Sequence, residues 1–267
     1  MSGTYVVQEF RPRFADAELA VKHANHPLRA FNRVDASPGA SARGETVWEA
    51  GVALANFIAA TFRGADIAGK RVLELGAGCS GYPGRTAQLA GAKYVLLTDS
   101  NERALSVLKS GTRRVVPGDN VVADPDDDHE LCAERDAEHM MCYGLAYLDE
   151  HGLARLELPR LELARLDIAE PAPEFFNSVD AFDIILAADV LYDEDERTCT
   201  GLFRTAASLL APGGRLIIAY AHRADDEFID PIASGEYGFQ CVGIHDVKRS
   251  AVSHGWTTEL EIVEFVL

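Results

Sequence analysis

Long apolar runs are missing from this 267-residue chain. None approaches the roughly 20 residues that a membrane-spanning helix needs. Met1 to Phe14 also lacks the apolar stretch of a secretory signal. Paired cysteines are missing too: Cys79, Cys132, Cys142, Cys199 and Cys241 are scattered and form no CxxC. That pattern sets aside a zinc site and a disulfide framework, so no metal is expected. Positive charge is scarce, with 25 Lys and Arg against 42 Asp and Glu and a formal charge of -17. A surface of that sign repels a phosphate backbone, which counts against a general nucleic-acid binder and favours basic partners, including lysine- or arginine-rich protein segments. Together these absences describe a soluble protein of a reducing compartment, expected in the cytoplasm and also compatible with the nucleus.

What is present is enough apolar residues, 48% of the chain, for one sizeable core. The stretch 1–44 has mixed charge and weak periodicity and is expected to be an N-terminal extension or lid. From residue 45 to 267 a single α/β domain is expected. A helix is predicted from Val47 to about Phe62 and strands at Arg71–Leu75 and Tyr94–Asp99, with a glycine-rich turn from Gly76 to Gly84 and a helix from Arg85 to Ala90 between them. Asn101–Ser110 is expected to be helical. The second strand is apolar without alternation, as in a parallel sheet covered on both faces.

The pattern loosens from Val115 to Leu158, which is longer than an ordinary connection and implies an insertion near 115–158, with a helix expected over Leu131–Leu148. Further strands are predicted at Leu161–Asp167, Phe182–Ala188 and Arg215–Tyr220, a helix at Glu196–Leu210 and a turn at Pro212-Gly213-Gly214. Phe239–His245 and Thr258–Val266 read as strands with no clear helix between them. The expected fold is therefore a Rossmann-like, doubly wound, seven-stranded α/β sheet, mostly parallel with a terminal antiparallel strand.

The segment Val72-Leu73-Glu74-Leu75-Gly76-Ala77-Gly78 carries the most chemistry. Gly76, Gly78 and Gly81 satisfy GxGxxG, a spacing that first suggests a dinucleotide, so the acids around them must decide the ligand. Glu74 precedes the first glycine by two residues; a carboxylate there is awkward for a pyrophosphate but suits the cationic amino group of a methionine moiety. Asp99 ends the next strand and can accept from both ribose hydroxyls. Asp167 ends the third strand, where it or the neighbouring backbone can meet an adenine amino group. Open α/β sheets bind ligands at the carboxyl ends of their strands, so these residues are expected to converge.

Val47-Trp48-Glu49-Ala50, the glycine loop Gly76 to Gly84 and Asp189-Val190-Leu191-Tyr192 resemble, in order, the methyltransferase-like lysine methyltransferases called family 16, within the seven-strand class I methyltransferases. The resemblance runs from about Gly44 to the C-terminus and departs from the family at Val115–Leu158. It implies S-adenosyl-L-methionine as cofactor, no metal and often a protein substrate. By the same resemblance Trp48 packs against the cofactor or walls its pocket, and Ala188, which closes the fourth strand, joins the cofactor-binding set of Trp48, Glu74, Gly76, Gly78, Asp99 and Asp167.

Asp189 and Tyr192 are the expected catalytic pair. Asp189 can orient an incoming nitrogen through a charge-assisted hydrogen bond, and Tyr192 can wall the channel with its ring face. Methyltransferases acting on bases often carry paired prolines where Val190 and Leu191 stand. His222, after the fifth strand, reads as a polar loop residue. Lysine is the expected target. Protein arginine, a small molecule or nucleic acid, and a non-catalytic cofactor-binding scaffold stay open.

Overall fold

Apolar strands bounded by glycine, proline and charged residues assemble into one central sheet. The computed structural model describes residues 5–24, 27–34, 44–112, 141–143, 146–147, 156–157, 160–191, 196–221, 229, 231–247 and 260–267. Strands β3 (Arg71–Leu75), β4 (Tyr94–Asp99), β8 (Arg160–Arg165), β9 (Phe182–Ala188) and β10 (Leu210–Ala221) run parallel. β12 (Leu260–Val266) is antiparallel to both β10 and β11 (Gln240–Val247), which is the predicted antiparallel ending. The order across the sheet is β11-β12-β10-β9-β3-β4-β8, with β5 (Met141–Tyr143) added beyond β8.

Alternate residues of each strand feed opposite cores, as the period-2 geometry of a strand requires. In β3, Val72 enters a cluster with Leu54 and Ile58 of α2 (Glu49–Thr61) and Ala87 of α3 (Tyr82–Leu89). Leu73 and Leu75 enter the other, with Leu202 and Phe203 of α6 (Glu196–Leu209). All six residues of β4 are buried, as its unbroken apolar run implied. The edge strand β11 is mostly exposed.

Several expectations need correction. The seven expected strands form the sheet, and Met141–Tyr143 adds a short antiparallel strand at the β8 edge that was not expected. Those residues and Ala146–Tyr147, which pairs with β7 (Leu156–Glu157), fall within the predicted helix Leu131–Leu148 and are extended instead. The remainder of that predicted helix lies outside the described residues. Helix α3 starts at Tyr82, three residues before the predicted Arg85, because Pro83 fits a first helical turn, where no N–H partner is needed. The turn at Pro212-Gly213-Gly214 interrupts β10 rather than preceding it: pairing with β9 shifts between Leu210 and Arg215. A short helix, α5 (Pro173–Ser178), was not read from the pattern.

The N-terminal stretch holds more structure than its weak periodicity suggested. β1 (Tyr5–Phe10) and β2 (Leu28–Arg33) pair antiparallel around α1 (Ala17–His23). Asp16 caps α1 by accepting from the Glu18 and Leu19 amides at 2.9 and 3.0 Å. Phe10, Phe14, Leu28 and Ala30 are buried in the same core as α2 and α3. β2 lies against α4 (Glu102–Thr112), where a Cβ on Gly111 would stand 2.9 Å from the Arg29 carbonyl.

Candidate active site

The chain runs from β3 outward through β4 to β8, then returns to the other side of β3 with β9 and β10. The reversal lies between β3 and β9, and the carboxyl ends of these strands form the crevice where open α/β sheets take ligands. The glycine loop follows β3 and Asp99 ends β4. Ala188 and Asp189 end β9, so the predicted residues of these three strands come to one edge.

Gly76 has φ +69°, and a Cβ there would stand 2.4 Å from Cγ1 of Val190. Both the left-handed backbone and the close approach exclude a larger residue. Gly78 is likewise left-handed, with φ +57°. The loop's amides are engaged by the protein itself. Ala77 donates to the Thr98 carbonyl (2.8 Å), Gly78 to Oδ2 of Asp99 (2.8 Å), Cys79 to the Gly44 carbonyl (2.7 Å) and Gly81 to the Ala77 carbonyl (2.9 Å).

Glu74 is 1% exposed, and its carboxylate turns under the loop to accept from the Gly84 amide at 2.7 Å. Gly84 is the third residue of α3, and Pro83 before it has no N–H, so a carboxyl group already occupies the start of this helix. Gly84 is itself tightly held: a Cβ would meet Cδ2 of Leu97 at 2.4 Å. Burial pushes the Glu74 carboxyl up to about 8, against the Gly84 amide and the cation of Arg85, which lower it.

Asp99 is 8% exposed. Oδ2 takes the Gly78 amide and Oδ1 the Asn101 amide, both at 2.8 Å. Burial raises its pKa, opposed by these amides and that of Ser100. A carboxylate can accept about four hydrogen bonds, so this one fits further hydroxyl donors. The side-chain oxygen of Asn101 accepts from the Arg103 and Ala104 amides, at 3.0 and 3.2 Å, and so caps α4. Beyond β8, Leu166 donates to the Asp99 carbonyl at 3.0 Å. Asp167 follows, exposed, its carboxylate accepting from the Ala169 amide at 3.0 Å.

At the end of β9, Ala188 is half-buried and pairs with Ala219 of β10. Asp189 has φ +53° and is the one non-glycine residue with positive φ among the described residues. Its amide donates to the Ala219 carbonyl at 2.7 Å. A left-handed aspartate between two strand ends is the kind of local strain that clusters at functional sites. Val190 then packs on Gly76, so the turn bearing Asp189 and the glycine loop are in contact. Trp48, at the start of α2, is 38% exposed, and the neighbouring Val47 amide donates to Oδ1 of Asn32 on β2 at 3.1 Å. Tyr192, His222 and Arg223 lie outside the described residues.

A family profile described as lysine methyltransferase matches residues 26–124. The match spans the N-terminal strand β2, the glycine loop and Asp99, and it is the family that the motifs of this chain resemble. Among solved structures, a candidate RNA methyltransferase from Pyrococcus horikoshii superposes with a TM-score of 0.51 at 15% identity, over 93% of this chain and 95% of that one. A candidate methyltransferase complexed with S-adenosylhomocysteine gives 0.52 at 12% identity, over 90% of this chain and 53% of that one. At these identities the likeness establishes the fold: the Rossmann-like methyltransferase sheet. No match is found among curated proteins.

Within this methyltransferase fold, sequence reasoning missed Gly44, Glu45, Arg85 and Val190 as parts of the site. Val190 and Gly44 touch the loop without any distinctive residue type to mark them. Arg85 is buried at 4% exposure and donates to the Arg29 carbonyl (2.7 Å), the Ser80 carbonyl (3.1 Å) and the Gly111 carbonyl (3.3 Å). An arginine inside a helix that reads as amphipathic gives no hint of such burial.

Proposed function

We propose that this protein transfers a methyl group from S-adenosyl-L-methionine to a side-chain nitrogen of a protein, most directly lysine. The observation that carries the cofactor class is the Glu74 carboxyl group at the start of α3. A dinucleotide's pyrophosphate uses a helix N-terminus and the loop amides before it. Here the third helical amide goes to Glu74, the second position is Pro83, and the Ala77, Gly78 and Cys79 amides have partners within the protein. Such a crevice disfavours a phosphate and suits a nucleoside that carries positive rather than negative charge.

When bound, the cofactor supplies an activated methyl group on a sulfonium. Asp99 would accept from its ribose hydroxyls, and Trp48 would cover one side. The left-handed bends at Gly76 and Gly78, packed on Val190 and Gly44, would shape the loop beside it. Glu74 fixes the loop from below and stands on the side proposed for the cationic amino end. Asp189 would meet the incoming nitrogen. A lysine amine, with an ordinary pKa of about 10.4, must lose its proton before it can attack. Withdrawal from water favours that loss, and Asp189 would orient the nitrogen by hydrogen bonding while the proton leaves to solvent. Tyr192, three residues on, is proposed to wall the channel, and Asp167 and Ala188 to border the cofactor.

The protein substrate is supported by the family match and by the net charge of -17, which attracts basic segments. The same charge opposes RNA, although a structure sharing the fold is that of a candidate RNA methyltransferase. The test is incubation with methyl-labelled cofactor and lysate. Label should enter protein and be recovered as methyl-lysine after hydrolysis. Label in RNA or in small molecules overturns the substrate class, and label on arginine overturns the choice of lysine. Binding without transfer to any fraction supports a scaffold instead.

A further inference from the structure

Glu45 stands just before the Val47-Trp48 motif and is 1% exposed. Oε1 receives NH1 of Arg33 at 3.3 Å and Oε2 receives Nε of Arg103 at 2.9 Å; the Tyr5 hydroxyl also donates to Oε2. Arg103 in turn lies over the Tyr5 ring, 6.0 Å from its centroid, and its Nε also reaches the Tyr5 oxygen at 3.2 Å. One carboxylate therefore joins β1 through Tyr5, the end of β2 through Arg33 and the first turn of α4 through Arg103.

The residue before it, Gly44, accepts the Cys79 amide at 2.7 Å. A Cβ on Gly78 would lie 3.2 Å from the same carbonyl, and one on Gly44 would lie 3.0 Å from Cβ of Ala104. The backbone at Gly44 is thus wedged between the glycine loop and α4. Two consecutive loop amides are held from two sides, Gly78 by Asp99 and Cys79 by Gly44, and the second hold depends on where Glu45 is anchored. A carboxylate buried to this degree is costly unless its partners are close, and such clusters are better at fixing one arrangement than at adding stability.

We propose that Glu45 is a positioning residue for the cofactor loop: by gathering Tyr5, Arg33 and Arg103 it seats the Gly44 carbonyl on the Cys79 amide. The N-terminal strand pair is then a working part of the cofactor site. The effect on cofactor affinity rests on the methyltransferase reading; the effect on the loop does not.

The experiment uses the full chain with two variants, Glu45→Gln and the milder Tyr5→Phe, and the buried core change Phe239→Leu as a control for destabilisation alone. Amide hydrogen exchange in the ligand-free protein should accelerate about tenfold or more at Cys79 in Glu45→Gln, and less in Tyr5→Phe, while Gly78, held by Asp99, changes less and both amides stay protected in the control. Titration with S-adenosyl-L-homocysteine should show affinity weakened about tenfold in Glu45→Gln and near wild type in the control. Unchanged protection at Cys79 in both Glu45 and Tyr5 variants overturns the positioning role, whatever the ligand. Lost protection with wild-type affinity restricts Glu45 to loop order and overturns its link to the cofactor. If wild type itself fails to bind the probe, the methyltransferase reading falls, and the exchange result still decides the role in the loop. Should Glu45→Gln not fold, Tyr5→Phe supplies both readings.

Discussion

The two ends of the central strands treat a buried carboxyl group in opposite ways. At the carboxyl end, Glu74 and Asp99 are held by backbone amides of Gly84, Gly78 and Asn101. At the amino end, Glu162 is fully buried and held by side chains: the Tyr94 hydroxyl at 2.6 Å and the guanidinium of Arg160. Arg71 closes that end by lying 4.4 Å from the Tyr94 ring centroid and 5.2 Å from that of Phe182. A cavity of about 210 Å³ remains there, lined by Arg71, Tyr94, Arg160 and Glu162 with Asn177 to Asp180. Acids matched by local cations make a neutral, self-contained end. Acids held by backbone amides keep lone pairs free at the mouth of the crevice, as at Asp99. Amide-held carboxylates can take further donors, so only the second end is suited to receive a cationic ligand.

This contrast can be broken or sharpened by variants at each end. The largest effect is expected at the β9 turn. Asp189→Ala should lower methyl transfer about 100-fold or more while leaving cofactor affinity nearly unchanged, measured by single-turnover transfer beside calorimetric titration. Full activity in that variant removes Asp189 from the chemistry. Asp99→Ala should come next, weakening cofactor binding by about 1–3 kcal/mol through the loss of charged hydrogen bonds. Gly76→Ala should cost about 1–3 kcal/mol in denaturant unfolding, from the left-handed backbone and the clash with Val190. Adding Val190→Ala should recover the steric part only.

At the opposite end, Tyr94→Phe should cost about 1–3 kcal/mol of stability because it removes a bond to a buried carboxylate, with cofactor affinity unchanged. A loss of affinity there would mean that the two ends are coupled.

A further test is a pH dependence. The folded Glu74 carboxyl titrates at about 8, above its ordinary value of 4.5, so between these values the folded state binds more protons than the unfolded one. Stability contributed by this group is present below about pH 4.5 and is lost as pH rises through about 8. Glu74→Gln should flatten that decline in unfolding experiments across this range, and an unchanged slope would assign the decline to other groups.

Much of this arrangement was legible from residue order. β3 appears with its predicted bounds because Val72, Leu73 and Leu75 are apolar and Gly76 stops the strand, and β4 because Tyr94 to Asp99 has no polar alternation. What the pattern could not supply was side-chain direction. The position of Glu74 at a strand end was evident, but its turn toward Gly84 depends on α3 starting at Tyr82, which puts the Gly84 amide in the first helical turn. Glu45 was invisible for a different reason. A lone acid in a chain of charge -17 carries no signal, and its burial depends on Tyr5 and Arg103, 40 and 58 positions away in the chain. β1 and β2 were missed because they bury mainly the Phe10 and Leu28 end, while Val6 and Val7 stay exposed. The edge strand β5 was read as helix because Met140, Met141, Leu145 and Leu148 fit a helical spacing, whereas pairing to β8 governs Met141–Tyr143.

The most direct test is a pair of calorimetric titrations of the purified chain, one with S-adenosyl-L-methionine and one with NAD. Saturable binding of the sulfonium nucleoside at one site per chain, weakened by Asp99→Ala, with no heat from NAD, is the predicted result. Binding of NAD, or silence toward both, contradicts the claim that this crevice is built for a cationic nucleoside.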